Sequence, residues 1–100
     1  MKMLTLVCRE KFDIHVVALF NKLGIKGYTV ISGAGGSGRS GEAGKHGWAD
    51  HNMLFLVALD DAQMATLLTA VKELHVMLVA ENGGVEVALK AFLQSCEVIL

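Results

Sequence analysis

Two hydrophobic periods alternate along the chain. From Met1 to Cys8 nearly every position past Lys2 is apolar, the pattern of a strand covered on both faces. Phe12, Val16, Leu19, Phe20 and Leu23 then recur at helical spacing and predict a single buried stripe. Asp13 reads as the N-cap of this helix, with a start at Lys11 as the alternative. Gly24 stands where a left-handed residue ends a helix, and Ile25 offers the apolar contact that accompanies such a stop. Gly27 lets the chain turn into a second, β-branched strand from Tyr28 to Ser32. The third strand, Met53 to Leu59, is again unbroken and apolar. Asp60-Asp61 caps a second helix, in which Met64, Leu67, Leu68, Val71, Leu74, Leu78 and Val79 keep helical spacing as far as Asn82-Gly83-Gly84. His75 to Ala80 also fits a short strand, and Val85, Ala88, Leu89, Phe92 and Leu93 also fit a helix. The expected arrangement is a long second helix, a loop at 81–88 and a final strand near 90–99.

Strand-helix-strand, a long connection, then strand-helix-strand predicts an α+β, ferredoxin-like βαββαβ fold. Its antiparallel sheet carries both helices on one face, and residues 1–100 make a single domain. Hydrophobic residues make up 53% of the chain, and mean hydropathy is +0.49. No run reaches the roughly 18 uncharged apolar residues of a membrane span. The surplus is therefore expected on the sheet face that the helices leave bare, where strands one and three are also apolar. Burying it calls for other copies of the chain, most simply in a closed ring. A net charge of −1 without blocks of like charge excludes a nucleic-acid footprint. The opening strand, broken by Arg9-Glu10-Lys11, is not a signal peptide. Cys8 and Cys96 read as reduced, buried thiols of a cytoplasmic protein.

Seven of the eleven glycines fall between Gly33 and Gly47. A connection this long inside a small domain is where function is expected, and a mobile loop is placed at about 33–52. Gly36-x-Gly38-Arg39 can hold an anion, or the segment can be a flexible linker. It is not a P-loop, since no Gly-Lys-Ser/Thr follows, so phosphoryl transfer has no support. His46, Asp50 and His51, with Glu42 nearby, are either ligands for Zn, Ni or Cu, or solvated polar residues. His15 and His75 read as edge residues of helices. Trp48 is an anchor that folds the loop back or a contact for a partner protein. Ser32, Ser37 and Ser40 have His46 and Asp50 close in sequence, but that does not make a triad, and the chain is expected not to be an enzyme.

The run Leu23-Gly24-Ile25-Lys26-Gly27-Tyr28-Thr29-Val30 precedes a glycine-rich segment that holds Gly36-Ser37-Gly38-Arg39. Together they resemble the PII signal-transduction superfamily, and its divergent PII-like members more than the nitrogen regulators. Met1-Lys2, Lys11-Phe12-Asp13 and Cys96-Glu97-Val98 fit the same pattern. The resemblance implies a homotrimer that needs no cofactor and binds an adenine nucleotide effector in the clefts between subunits. The long loop (the T-loop) would dock on a target protein such as a membrane transporter. Thr29 would sit by the adenine, and Gly35, Gly36, Ser37, Gly38 and Arg39 would approach the phosphates. Backbone N–H groups freed by glycine and a two-pronged guanidinium suit an anion. Arg39, Lys45 and Trp48 would meet the partner. The family's loop tyrosine, its Thr-Gly…Gly-Asp-Gly-Lys phosphate loop and its basic Arg-x-Arg tail have no counterpart here. With fewer cations, AMP, ADP or a cyclic nucleotide is expected over a triphosphate, with an anion such as bicarbonate as a companion. The alternative class is a metal-responsive protein, like the trimeric CutA-type proteins or those that accompany metal efflux, using His46, Asp50 and His51. A structural assembly module without a ligand is the third.

Overall fold

The computed structural model describes residues 1–34 and 51–100. β1 (Lys2–Arg9) leads through a 3-10 turn (Glu10–Phe12) into α1 (Asp13–Lys22) and then β2 (Thr29–Ala34). β3 (Asn52–Leu59), α2 (Asp61–Glu81) and β4 (Leu89–Ser95) complete the order. The four strands form one antiparallel sheet in the order β2-β3-β1-β4. This is the expected α+β ferredoxin-like arrangement, with β1 and β3 central.

Side-chain alternation sorts the sheet into two unlike faces. Leu4, Leu6 and Cys8 of β1 and Met53, Phe55, Val57 and Leu59 of β3 point to the helices and are buried. They join Val16 and Phe20 of α1 and Met64, Leu67, Val71 and Leu78 of α2 in one core. The Phe20 ring lies at its centre, edge-on to Tyr28 at 4.7 Å and to Phe55 at 5.8 Å. On the other face Met3 and Val7 of β1 and Leu54 and Leu56 of β3 are only half-buried. Ile31 of β2 and Phe92 of β4 are exposed there. Nothing among the described residues covers them.

Both helices stop by the same device. Gly24, at φ +73°, donates to the Asn21 carbonyl, and Ile25 donates to Phe20 and is itself buried. After α2, Gly83 at φ +67° donates to Ala80 and Gly84 to Val79. Asp60 caps α2 by accepting from the Gln63 N–H at 2.8 Å. Asp13 does not cap α1. It is the first helical residue, Phe12 holds the cap position, and no side chain bonds there. The preceding 3-10 turn has already bent the chain into the helix, leaving Asp13 to act only as a negative charge in the first turn.

Residues 75–80 are helical and residues 85–88 are not, which decides both ambiguous stretches. β4 ends at Ser95, earlier than the sequence predicts. Ser95 already pairs with Lys2 at the start of β1, and only the Cys96 N–H reaches Met1 beyond it. Val98, Ile99 and Leu100 have no strand to join and are exposed. Cys96 is half-buried rather than buried, and both cysteines are free thiols.

A clasp ties the segment between α2 and β4 to the body. His75 Nε2 and Glu86 Oε1 lie 2.6 Å apart, and the same oxygen accepts from the Val87 N–H at 3.0 Å. These bonds, led by the one from His75, hold the Glu86 carboxyl below its usual pKa. Stabilisation from a depressed carboxyl is complete above the ordinary carboxylate pKa and is lost as pH falls through the lowered value. Glu86→Gln is therefore expected to be less stable than the parent near neutrality, with the difference closing in acid. Urea unfolding across that range checks it. Phe20→Ala empties the centre of the core and is expected to cost about 3–5 kcal/mol, measured by the same unfolding.

Candidate functional site

Both ends of the glycine-rich segment return to one end of the sheet. Arg9, the last residue of β1, stands opposite Asn52, the first of β3, and Asn52 also stands opposite Ala34, the last of β2. β4 begins at the same end, with Leu89 opposite Cys8. Two backbone bonds stitch the connections together: the Glu10 N–H to the His51 carbonyl at 2.8 Å, and the Arg9 N–H to the Ala88 carbonyl at 3.2 Å. The root of the long segment, the start of α1 and the 82–88 connection therefore share one rim.

β2 reaches that rim through a bulge. Its register against β3 shifts between Ile31 and Ala34, where Gly33 adopts φ +72°. Only glycine takes this backbone without strain, and one extra residue bends the strand and re-aims the residues beyond it. Ser32-Gly33 thus sets the direction in which the glycine-rich segment leaves the sheet.

The sequence-predicted site residues fall into two groups. Gly35, Gly36, Ser37, Gly38, Arg39, Lys45, His46, Trp48 and Asp50 lie outside the described residues. Thr29 and His51 are described, and the fold separates them. His51 is exposed at the rim. Thr29 is exposed at the opposite end of β2, opposite Leu56, about 16 Å along the strand from Ala34. Its face is the open one, whereas Tyr28 turns inward to Phe20 and Phe55. Among the described residues no group of three His, Cys, Asp or Glu side chains is placed to hold a metal ion.

Sequence reading did not anticipate that the charged run Arg9-Glu10-Lys11 and the 83–88 backbone join the loop root. The signal was present in the sequence: three successive charges ending an otherwise apolar strand mark the point where it leaves the core. Cys8, next to this run, is 1% exposed. Burial, reinforced by the Asp13 charge, pushes its thiol up to about 11, so it is no nucleophile near neutrality. No helix among the described residues is long and apolar enough to cross a membrane.

Comparison with known proteins agrees with this geometry. A family described as "Nitrogen regulatory protein P-II" matches residues 1–91. No curated protein matches the chain. Among solved structures, the chain is similar to CPII, a nitrogen regulatory PII-like protein from Thiomonas intermedia K12, bound to ADP, AMP and bicarbonate. Identity is 16% and TM-score 0.71, over 93% of this chain and 82% of that one. CPII bound to ADP and bicarbonate gives 18% and 0.66 over the same shares. A PII-like signaling protein from Thermus thermophilus gives 20% and 0.64, again over 93% and 82%. The element order, the sheet topology and a match over nine-tenths of the sequence lead to one assignment: this chain belongs to the P-II family.

Proposed function

We propose that the chain is a homotrimeric PII-like regulator rather than an enzyme. It would sense an adenine nucleotide, AMP or ADP, together with an anion such as bicarbonate, in clefts between subunits. The observation that carries this reading is the uncovered apolar sheet face, which borders the edge strand that leads into the glycine-rich segment. Met3, Val7, Leu54, Leu56 and Phe92, grouped around Thr5, present an apolar surface that water penalises and a second copy relieves. A cyclic assembly through that face sets the edge strand β2 beside a neighbour and turns its border into a groove. Thr29, exposed on β2, is then available to an adenine in this groove. Gly35, Gly36, Ser37, Gly38 and Arg39 come after the bulge and are assigned to the phosphates.

The solved PII-like relatives bound to ADP, AMP and bicarbonate support this ligand class. The chemistry agrees with a mono- or diphosphate, since one guanidinium and a set of glycine N–H groups neutralise less charge than a triphosphate carries. Occupancy of the groove would order the segment at 33–52, and the ordered and free forms would differ in affinity for a target protein. Arg39, Lys45 and Trp48 are assigned to that contact, and a cytoplasmic site of action follows from the nucleotide.

Two outcomes test the reading. Arg39→Ala is expected to weaken AMP or ADP binding by more than about tenfold, the loss of a charge-assisted bidentate contact. Calorimetry in bicarbonate buffer reads this, and unchanged affinity rejects the role of Arg39. Light scattering should give a mass of three chains for the parent, while Leu56→Asp, which puts a charge on the open face, should yield a folded species of lower mass. A monomeric parent would remove the grooves and the proposal with them.

A further inference from the structure

A second recess lies away from the open sheet face, between the start of α1, the last turn of α2 and the connection into β4. Its volume is about 230 Å³. Phe12, Leu78 and Val87 contribute apolar surface, while Lys11 from the α1 side and Glu81 from the α2 side carry opposite charges, with His15 beside the first and Asn82 beside the second. The Lys11 ammonium lies 5.3 Å from the centre of the Phe12 ring, a cation–π contact. Among the described residues the acids in ion pairs are Asp61, with the Met1 ammonium, and Glu86, with His75. Lys11 and Glu81 thus line one recess without closing on each other.

We propose that this recess binds a small zwitterion with an apolar side chain, the chemical class of an aliphatic α-amino acid. Three features point to that class. The volume falls below the roughly 300–1,000 Å³ of drug-sized pockets and suits a small metabolite. The backbone fields add to the side chains: α1 begins on the side of Lys11 and His15, and its N-terminal dipole contributes positive potential there, partly offset by Asp13 in its first turn. α2 ends on the side of Glu81, where the helix adds negative potential. A carboxylate on the first side and an ammonium on the second would be stabilised together, with the aliphatic part on Phe12, Leu78 and Val87. An anion or a cation alone leaves one of the charges unmatched.

The site carries a regulatory consequence, because Val87 belongs to the connection whose next residue, Ala88, accepts from Arg9 at the loop root. A ligand packed on Val87 bears on the rim from the side opposite the open sheet face. The inference does not depend on nucleotide binding.

The test uses the full chain, labelled with nitrogen-15, and tracks amide shifts during titration with three probes. These are L-leucine, isocaproate (leucine without its amine) and isopentylamine (leucine without its carboxylate). Saturable shifts with L-leucine are expected, centred on Lys11–His15 and Leu78–Val87, with a dissociation constant on the order of 1 mM or below. Both analogues should bind at least about fivefold more weakly, each lacking one charge-assisted contact. Glu81→Gln should weaken L-leucine and leave isocaproate unchanged, whereas Lys11→Met should weaken L-leucine and leave isopentylamine unchanged. A collapsed fold cannot produce that crossed pattern. Shifts that are absent, unsaturable or scattered over the chain overturn the proposal, as does isocaproate binding as tightly as L-leucine. Prior saturation with AMP should leave the L-leucine shifts centred on Lys11–His15 and Leu78–Val87, changing at most their midpoint through the shared rim. Competitive loss of those shifts would place L-leucine in the nucleotide groove and overturn the proposal.

Discussion

One-sided burial governs this molecule. Two helices can cover only one face of a four-stranded sheet, yet β1 and β3 are apolar on both. Inward, Leu4, Leu6, Phe55 and Val57 are sealed by Phe20, Met64 and Leu67. Outward, Met3, Val7, Leu54 and Leu56 are half-buried, and among the described residues nothing beyond the sheet itself covers them. The hydrophobic effect is proportional to apolar area removed from water, so the second face is a store of association free energy left unused in a single copy. The buried core and the open apolar face are thus consequences of the same side-chain alternation.

The rim at the root of the glycine-rich segment depends on the same strands. β1 and β3 are held in register along their whole length, from Lys2↔Leu59 to Arg9↔Asn52. That ladder delivers Arg9 and Asn52 side by side, and the bulge at Gly33 brings β2 to the same place on a different heading. Both ends of the glycine-rich segment rest where β1, β2 and β3 meet, at Arg9, Ala34 and Asn52.

The outer flank of that rim has a different chemistry. Lys11, His15 and Glu81 are polar residues at helix ends, where main-chain dipoles add to side-chain charge. The rim is therefore contacted from two directions, once through the sheet and once through the 82–88 connection. In a chain this short, two such routes necessarily share residues, and Arg9 with Ala88 is where they meet.

Periodicity alone determined most of the architecture. The buried positions Val16, Phe20, Met64, Leu67, Val71 and Leu78 all lie on the predicted stripes. Gly24 and Asn82-Gly83-Gly84 mark the helix ends, because local sterics and a 3.6-residue repeat are written residue by residue. Strand limits were less legible. β4 stops at Ser95 although Val98 and Ile99 favour a strand, since a strand extends only as far as its neighbour does. The neighbours of Thr29 and His51, the meeting of Arg9 with Ala88, and the recess shared by Lys11 and Glu81 could not be read from the order of residues. Each joins positions tens of residues apart, and only strand register and helix packing bring them together.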